Sequence, residues 1–139
     1  MKTILILGSG KDQLPAIKKS RELGYSVISC DYKKNPVGKK FSDFFWNVSS
    51  TDVNKLSKKI RKFENDKKKI DGIFVMGTDL PQIAAKLSKF IKTKIYKNFS
   101  SKYSKNKLLM KELFKKKKIN IPNFKEIKNF SQLINYLRD

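Results

Sequence analysis

The stretch Ile4-Leu-Ile-Leu-Gly-Ser-Gly-Lys-Asp-Gln-Leu-Pro15 decides how the rest of the chain is read. Residues 3–7 are an apolar run with no helical period, and Gly8 closes it, so they read as a short buried strand. Apolar residues at Leu14, Ile17 and Leu23 then mark a helix over residues 14–23. Pro15 is tolerated in the first helical turn, where an N–H would have no intrahelical partner anyway. Gly24 supplies the left-handed residue that ends such a helix. A strand, a glycine turn and a helix start together form the usual opening of a phosphate-gripping loop, because first-turn N–H groups point at the ligand.

The same alternation continues along the chain. Residues 25–30 read as a second strand ending at Asp31, and Asn35-Pro36 with Gly38 marks a loop. Residues 41–48 are rich in aromatics and include a short strand. Ser50-Thr51-Asp52 can cap a helix running to about residue 65, with Val53, Leu56, Ile60 and Phe63 on one face. Residues 70–76 form a third clear strand, broken by Gly77-Thr78-Asp79, and Pro81 opens a helix reaching Phe90. The expected fold class is α/β, a Rossmann-like open parallel sheet with helices on both faces. After about residue 97 the texture changes. Residues 100–104 suggest a turn or short helix, and 106–118 an amphipathic helix with Leu109, Leu113 and Phe114 facing inward. Residues 119–122 end it, 123–127 read as a strand and 131–138 as one more helix. The expected division is therefore 1–98, the Rossmann-like domain, and 99–139, a short α+β extension that looks like the beginning of something larger.

The 139 residues suffice for one domain with its own core. A single cysteine, Cys30, allows no internal disulfide, and the absence of histidine excludes a thiolate–imidazole pair or a His-bearing zinc site. No apolar run approaches the roughly 18–20 residues that span a bilayer, and residues 1–4 do not open a signal peptide. A reducing, cytoplasmic location is expected. The net charge of +21 invites a polyanion partner, but only Arg21, Arg61 and Arg138 are arginines. Arginine is the better fork for phosphates and base edges. The lysines are spread over every segment beside many Asn, Ile, Phe and Tyr, the mixture an AT-rich genome produces at exposed positions. Nucleic acid and membrane are therefore not expected partners.

The opening loop allows three readings. A dinucleotide site has G-x-G-x-x-G with an acid about 20 residues on for the ribose. Gly8 and Gly10 fit and Asp31 stands where that acid belongs, but Gln13 replaces the third glycine. An anion or substrate loop built from Gly8, Ser9, Gly10 and Lys11 needs no third glycine and is preferred here. A purely structural turn needs only the glycine backbone angles. Gly77, Thr78 and Asp79 lie at the carboxyl end of the third clear strand, where open α/β sheets bind ligands. They either cap the next helix or face the same crevice.

In order and spacing these segments resemble the N-terminal part of the ATP-grasp carboxylate–amine ligases, the superfamily of biotin carboxylase, the carbamoyl-phosphate synthase large subunit and the purine-pathway carboxylases. The resemblance covers essentially the whole chain. It is carried by residues 4–15, by Leu23-Gly-Tyr-Ser-Val-Ile-Ser-Cys-Asp31, by Asn35-Pro-Val-Gly38 and by Asp71-Gly-Ile-Phe-Val-Met-Gly-Thr-Asp79. Asn106-Lys-Leu-Leu-Met-Lys-Glu-Leu-Phe114 followed by Ile119-Asn-Ile-Pro-Asn-Phe124 discriminates best. In the family such a helix joins the pre-ATP-grasp domain to the ATP-grasp fold, and an acid usually stands where this chain has Asn106.

The resemblance implies a mechanism for full-length members. ATP phosphorylates a carboxylate, or bicarbonate, to an acyl phosphate, and an amine displaces the phosphate, with Mg2+ and basic side chains stabilising the transferred group. It places Lys107 at the ATP phosphates and puts Gly8, Ser9, Gly10, Lys11, Asp31, Gly77, Thr78 and Asp79 on the substrate side. It implies no catalytic residue and no metal ligand in this chain. The family's glycine-rich loop, second ATP lysine, adenine segment and metal-binding Glu and Asn all follow later than residue 139. ATP and Mg2+ are thus expected in the full-length enzymes, with tight binding to this chain alone not expected. The expected partners are a small-molecule carboxylate and a missing C-terminal ATP-grasp part or separate subunit, with homo-oligomer formation left open. The isolated chain is expected to be inactive, as a truncated chain, a split-gene partner or a remnant. Two alternatives stand beside this: an NAD(P)- or nucleotide-binding Rossmann module, and a basic non-enzymatic polyanion-binding module.

Overall fold

A computed structural model describes residues 1–66, 69–91, 93 and 98–138, which fall into two compact units, Met1–Lys105 and Asn106–Asp139. In the first unit four strands, β1 (Thr3–Leu7), β2 (Ser26–Asp31), β3 (Phe44–Asn47) and β4 (Gly72–Phe74), form one sheet in the order β3-β2-β1-β4. Every neighbouring pair is parallel, with Leu5 opposite both Ile28 and Ile73. A parallel sheet is covered on both faces, so its central strands are nearly continuous apolar runs. That is the pattern of Leu5, Ile6 and Leu7 and of Val27, Ile28 and Cys30, all with no exposed surface.

Because side chains alternate along a strand, these runs feed two cores. Leu5, Leu7, Ile28 and Cys30 pack with Trp46, Ile73 and two helices, α2 (Val53–Asp66) and α3 (Pro81–Leu87), through Leu56, Ile60, Phe63, Ala84 and Leu87. Ile6 and Val27 pack on the opposite side with Ala16 and Ile17 of α1 (Leu14–Glu22), helped by half-buried Phe41 and Met76. Helices therefore lie on both faces, as expected. A further helix, α4 (Asn98–Lys105), completes the unit.

Local signals explain where the helices begin and end. Gly24 has φ +79°, and its N–H and that of Tyr25 bond the carbonyls of Arg21 and Ser20, closing α1. Asp52 caps α2 by accepting the Lys55 N–H at 2.9 Å. This backbone bond holds its carboxyl below the usual range. The strand expected over 70–76 is shorter. Only Gly72–Phe74 finds a ladder, against Ile4–Ile6 of β1, while Ile70 packs in the core without pairing.

The second unit holds α5 (Lys107–Lys116) and α6 (Phe130–Arg138). Asn106 caps α5, its Oδ1 accepting the Leu109 N–H at 3.1 Å, so the amide does locally what an acid would do there. Asn129 caps α6 through the Gln132 N–H, and Gln132 Oε1 accepts the Lys128 N–H in return. Leu109, Leu113 and Phe114 are only half-buried, and no described residue of this unit is buried. The strand expected over 123–127 is absent. The described residues of this unit contain no other strand, and a strand exists only through the neighbour that bonds it.

Candidate functional site

The strand order reverses beside β1. From β1 the chain moves outward to β2 and β3, then returns to β4 on the other flank. Loops leaving the carboxyl ends of β1 and β4 diverge to opposite faces, and open α/β sheets bind ligands at such a point. Here the two loops are joined by Gln13. Its buried side chain accepts the Gly10 N–H on Oε1 at 3.1 Å and donates Nε2 to the carbonyl of Met76 at 2.8 Å and, more weakly, Gly77 at 3.4 Å. The glycines on either side permit this approach. Gly8 has φ +103°, and a Cβ there would lie 2.8 Å from Gln13 Oε1. Gly77 has φ +61°, and its Cβ would lie 2.7 Å from the Asp12 Cβ. Both glycines hold left-handed backbone angles that other residues rarely adopt, and a Cβ at Gly77 would also press on Asp12 of the facing loop.

A second network fixes the loop toward β2. Asp31 accepts the Ser9 N–H on Oδ2 at 3.2 Å and the Lys33 N–H on Oδ1 at 3.0 Å. Ser29 Oγ lies 3.0 Å from Ser9 Oγ and accepts from Ser42 Oγ at 2.7 Å, and Ser42 Oγ also reaches the Gly38 carbonyl at 3.0 Å. The Gly38 N–H bonds the Ser9 carbonyl at 2.9 Å, and a Cβ on Gly38 would meet Ser9 Oγ at 2.7 Å. Three loops are thus tied around Gly8–Gly10.

The structure brings Gly8, Ser9, Gly10, Asp31 and Gly77 together in these networks. Lys11, Thr78 and Asp79 are exposed on the same two loops. Ser9 and Gly10 already donate their N–H groups to Asp31 and Gln13, and the Asp31 carboxylate takes part in holding the loop. Lys11 is exposed on the loop after β1, and Lys33 and Lys34 are exposed on the loop after β2. Lys107 belongs to the second unit, where it is exposed at the first position of α5. Cys30 lies beneath the loop and donates weakly to the Ile6 carbonyl. Burial pushes its thiol up to about 11, so it is no nucleophile at neutral pH. Among the described residues no group of three or more acids or cysteines is placed to hold a metal ion.

Sequence reasoning noted Gln13 only as a missing glycine. A long amide between two glycine turns was the available signal that the position is filled, not vacant. Gly38 was read as a loop marker and Ser9 as part of the substrate loop, but their link through Ser29 and Ser42 was not read, because nothing in local spacing shows that three separate segments meet.

Comparison of the sequence with protein-family models and with curated proteins gives no match. Among solved structures, the chain is similar to phosphoribosylglycinamide synthetase from Anaerococcus prevotii, at 23% identity and TM-score 0.68, over 99% of this chain and 34% of that one. It shares this fold. L-amino acid ligase from Bacillus licheniformis matches at 16% identity and TM-score 0.71, over 95% of this chain and 34% of its own. N5-carboxyaminoimidazole synthetase from Staphylococcus aureus, solved with ADP, matches at 18% identity and TM-score 0.71, over 99% and 35%. The chain spans about a third of the length of these structures.

Proposed function

We propose that the chain is the N-terminal, substrate-side portion of an ATP-grasp carboxylate–amine ligase that works through an acyl phosphate. The observation that carries this is the match of nearly its whole length to solved synthetases and an amino-acid ligase, one of them holding ADP. The sequence resemblance adds the order of segments from Ile4 to Phe124. In this reading Gly8, Ser9, Gly10, Lys11, Asp31, Gly77, Thr78 and Asp79 shape the substrate side of the cleft. Lys11 is exposed to meet a carboxylate, while Asp31 and Gln13 keep the loop in place beneath it. Lys107 would hold ATP phosphates. The described residues do not offer a donor set for Mg2+, so no step is assigned to the ion here. Activity then needs further polypeptide, either a longer product or a second subunit, and the 139-residue chain alone is inactive. The bridge made by Gln13 supports a substrate loop over a dinucleotide grip, since it takes the Gly10 N–H that a pyrophosphate would otherwise receive.

The test is to determine the intact mass of the native product and read the coding sequence beyond codon 139. A glycine-rich loop with Glu and Asn metal ligands, in the same or an adjacent frame, is expected. Within that assembly Lys107→Ala should weaken ATP binding by about tenfold or more, the scale of losing one charge-assisted contact. Assembly activity untouched by this change would remove the role of Lys107. A ligase rate from the purified 139-residue chain would overturn its inactivity, and saturable micromolar NAD(P)H binding would restore the dinucleotide reading.

A further inference from the structure

The chain is at +21, yet one cavity of the first unit is lined by two acids and, among the described residues, by no lysine or arginine. It lies at the amino edge of the sheet and has a volume of about 480 Å³. Thr3 and Ser26, the first residues of β1 and β2 and partners in register, line it. Phe44 of β3 and Phe63 of α2 stand beside them, their ring centres 5.0 Å apart, and the exposed Met1 borders it. The two acids differ. Asp43 is fixed, its Oδ2 accepting the Val27 N–H at 2.8 Å and its Oδ1 pairing with Arg21 at 3.1 Å. Asp66 ends α2 and makes no hydrogen bond or ion pair with a described residue. The last turn of α2 contains no base, so this carboxylate stands at the negative end of the helix dipole without a compensating charge in that turn. The hydroxyls carry the second signal. Thr3 and Ser26 are only 2% and 6% exposed, and neither side chain has a hydrogen bond among the described residues. No sealed side-chain oxygen among those residues lacks a partner, so both hydroxyls keep an opening, and it is the cavity they line. A hydroxyl so buried gains from any ligand group that bonds it.

We infer that this cavity binds a small organic ammonium ion with an aromatic body. Its volume falls in the range of small-molecule sites, roughly 300–1,000 Å³. An ammonium has three N–H donors, and the lining offers acceptors for them in Asp66, the two hydroxyls and Asp43, whose carboxylate can accept beyond the two partners it already has. Phe44 and Phe63 pack against an aromatic body and favour a cation near their ring faces. An anion would meet two carboxylates, and a bare metal ion would leave both rings without a partner. The site is set off from the Gly8 turn by the five residues of β1, roughly 16 Å of strand. In the ligase reading the substrates belong at that other end, so this ligand is an additional one and neither inference decides the other.

The test titrates the full 139-residue chain with phenethylamine and follows its amide resonances. The net charge of the chain repels this probe, so binding has to come from local acids. Saturable shifts confined to residues 1–4, 25–28, 42–46 and 60–66 are expected. Phenylacetate, of similar size and opposite charge, should shift these residues with at least about tenfold weaker affinity, and butylamine, without the ring, should also bind about tenfold more weakly. Asp66→Asn, at an exposed helix end, should weaken phenethylamine binding by about tenfold while the remaining resonances keep their positions. Thr3→Val with Ser26→Ala, which removes both hydroxyls, should weaken it by about threefold or more. Equal binding of phenylacetate reduces the cavity to an apolar crevice and overturns the proposal. Equal displacement by ammonium chloride, which would make the site a plain cation patch, overturns it as well, as would undiminished binding to Asp66→Asn or the absence of shifts.

Discussion

The two units begin from the same kind of sequence and end differently. In Met1–Lys105 the apolar positions of α1, α2 and α3 pack with residues of the sheet, and Leu56, Ile60 and Ile17 become fully buried. In Asn106–Asp139 the pattern on α5 is just as regular and both helices are capped, yet Leu109, Leu113 and Phe114 stay half-exposed. Amphipathic spacing and good caps define a helix, but burial requires an opposing surface. Short helices draw most of their stability from that packing.

The sharpest way to break this contrast is a pair of truncations. Leu5→Ala, in the centre of the sheet, should cost about 2–5 kcal/mol in denaturant unfolding. Leu113→Ala should cost less, because this side chain is only half-buried and keeps part of its surface in water in the fold. Equal costs would show that the second unit has a core after all.

Cys30 sharpens the first side of the comparison through pH. Its thiol stays neutral in the fold up to about 11 against 9.0 for an ordinary thiol, because burial disfavours the thiolate. A raised pKa means that its contribution is fully present below pH 9 and is lost as pH rises through 11. The stability gap between the native chain and Cys30→Ala should shift by about 3 kcal/mol across that window, measured as a difference so that lysine titration cancels. A constant gap would mean that the site admits water. Alkylation of the native thiol at pH 8 should likewise wait for unfolding.

Gln13→Ala comes next. It leaves the Gly10 N–H and the Met76 carbonyl without their partner and should cost about 1–3 kcal/mol. Amide resonances of residues 75–79 should move with those of 8–12, although the substituted residue lies in only one of the loops. Shifts limited to one loop would sink the bridge. The smallest effect is expected from Asn106→Ala, which removes a cap worth about 1 kcal/mol and should appear as faster amide exchange in the first turn of α5, with the first unit unaffected.

Much of the first unit was legible in order of sequence. The run from Ile4 to Leu7, the stop at Gly24, the face made by Leu56, Ile60 and Phe63, and the cap at Asp52 are all local signals, and each matched the element that formed. The reach of β4 was not legible, because pairing depends on how far its neighbour extends. The strand expected over 123–127 failed for the same reason in stronger form.

What the sequence determined by itself is local conformation. Glycine angles, caps and apolar periodicity act within a few residues, and they announced alternating strands and helices and a turn at Gly8–Gly10. Tertiary structure alone decided that Gln13 closes the gap between the loops after β1 and β4, that Asp31 holds Ser9 and that Gly38 lies under the same turn. Those contacts join residues 22 to 64 positions apart. Hydrogen bonds and close packing of that reach follow from the folded sheet, which no local pattern contains.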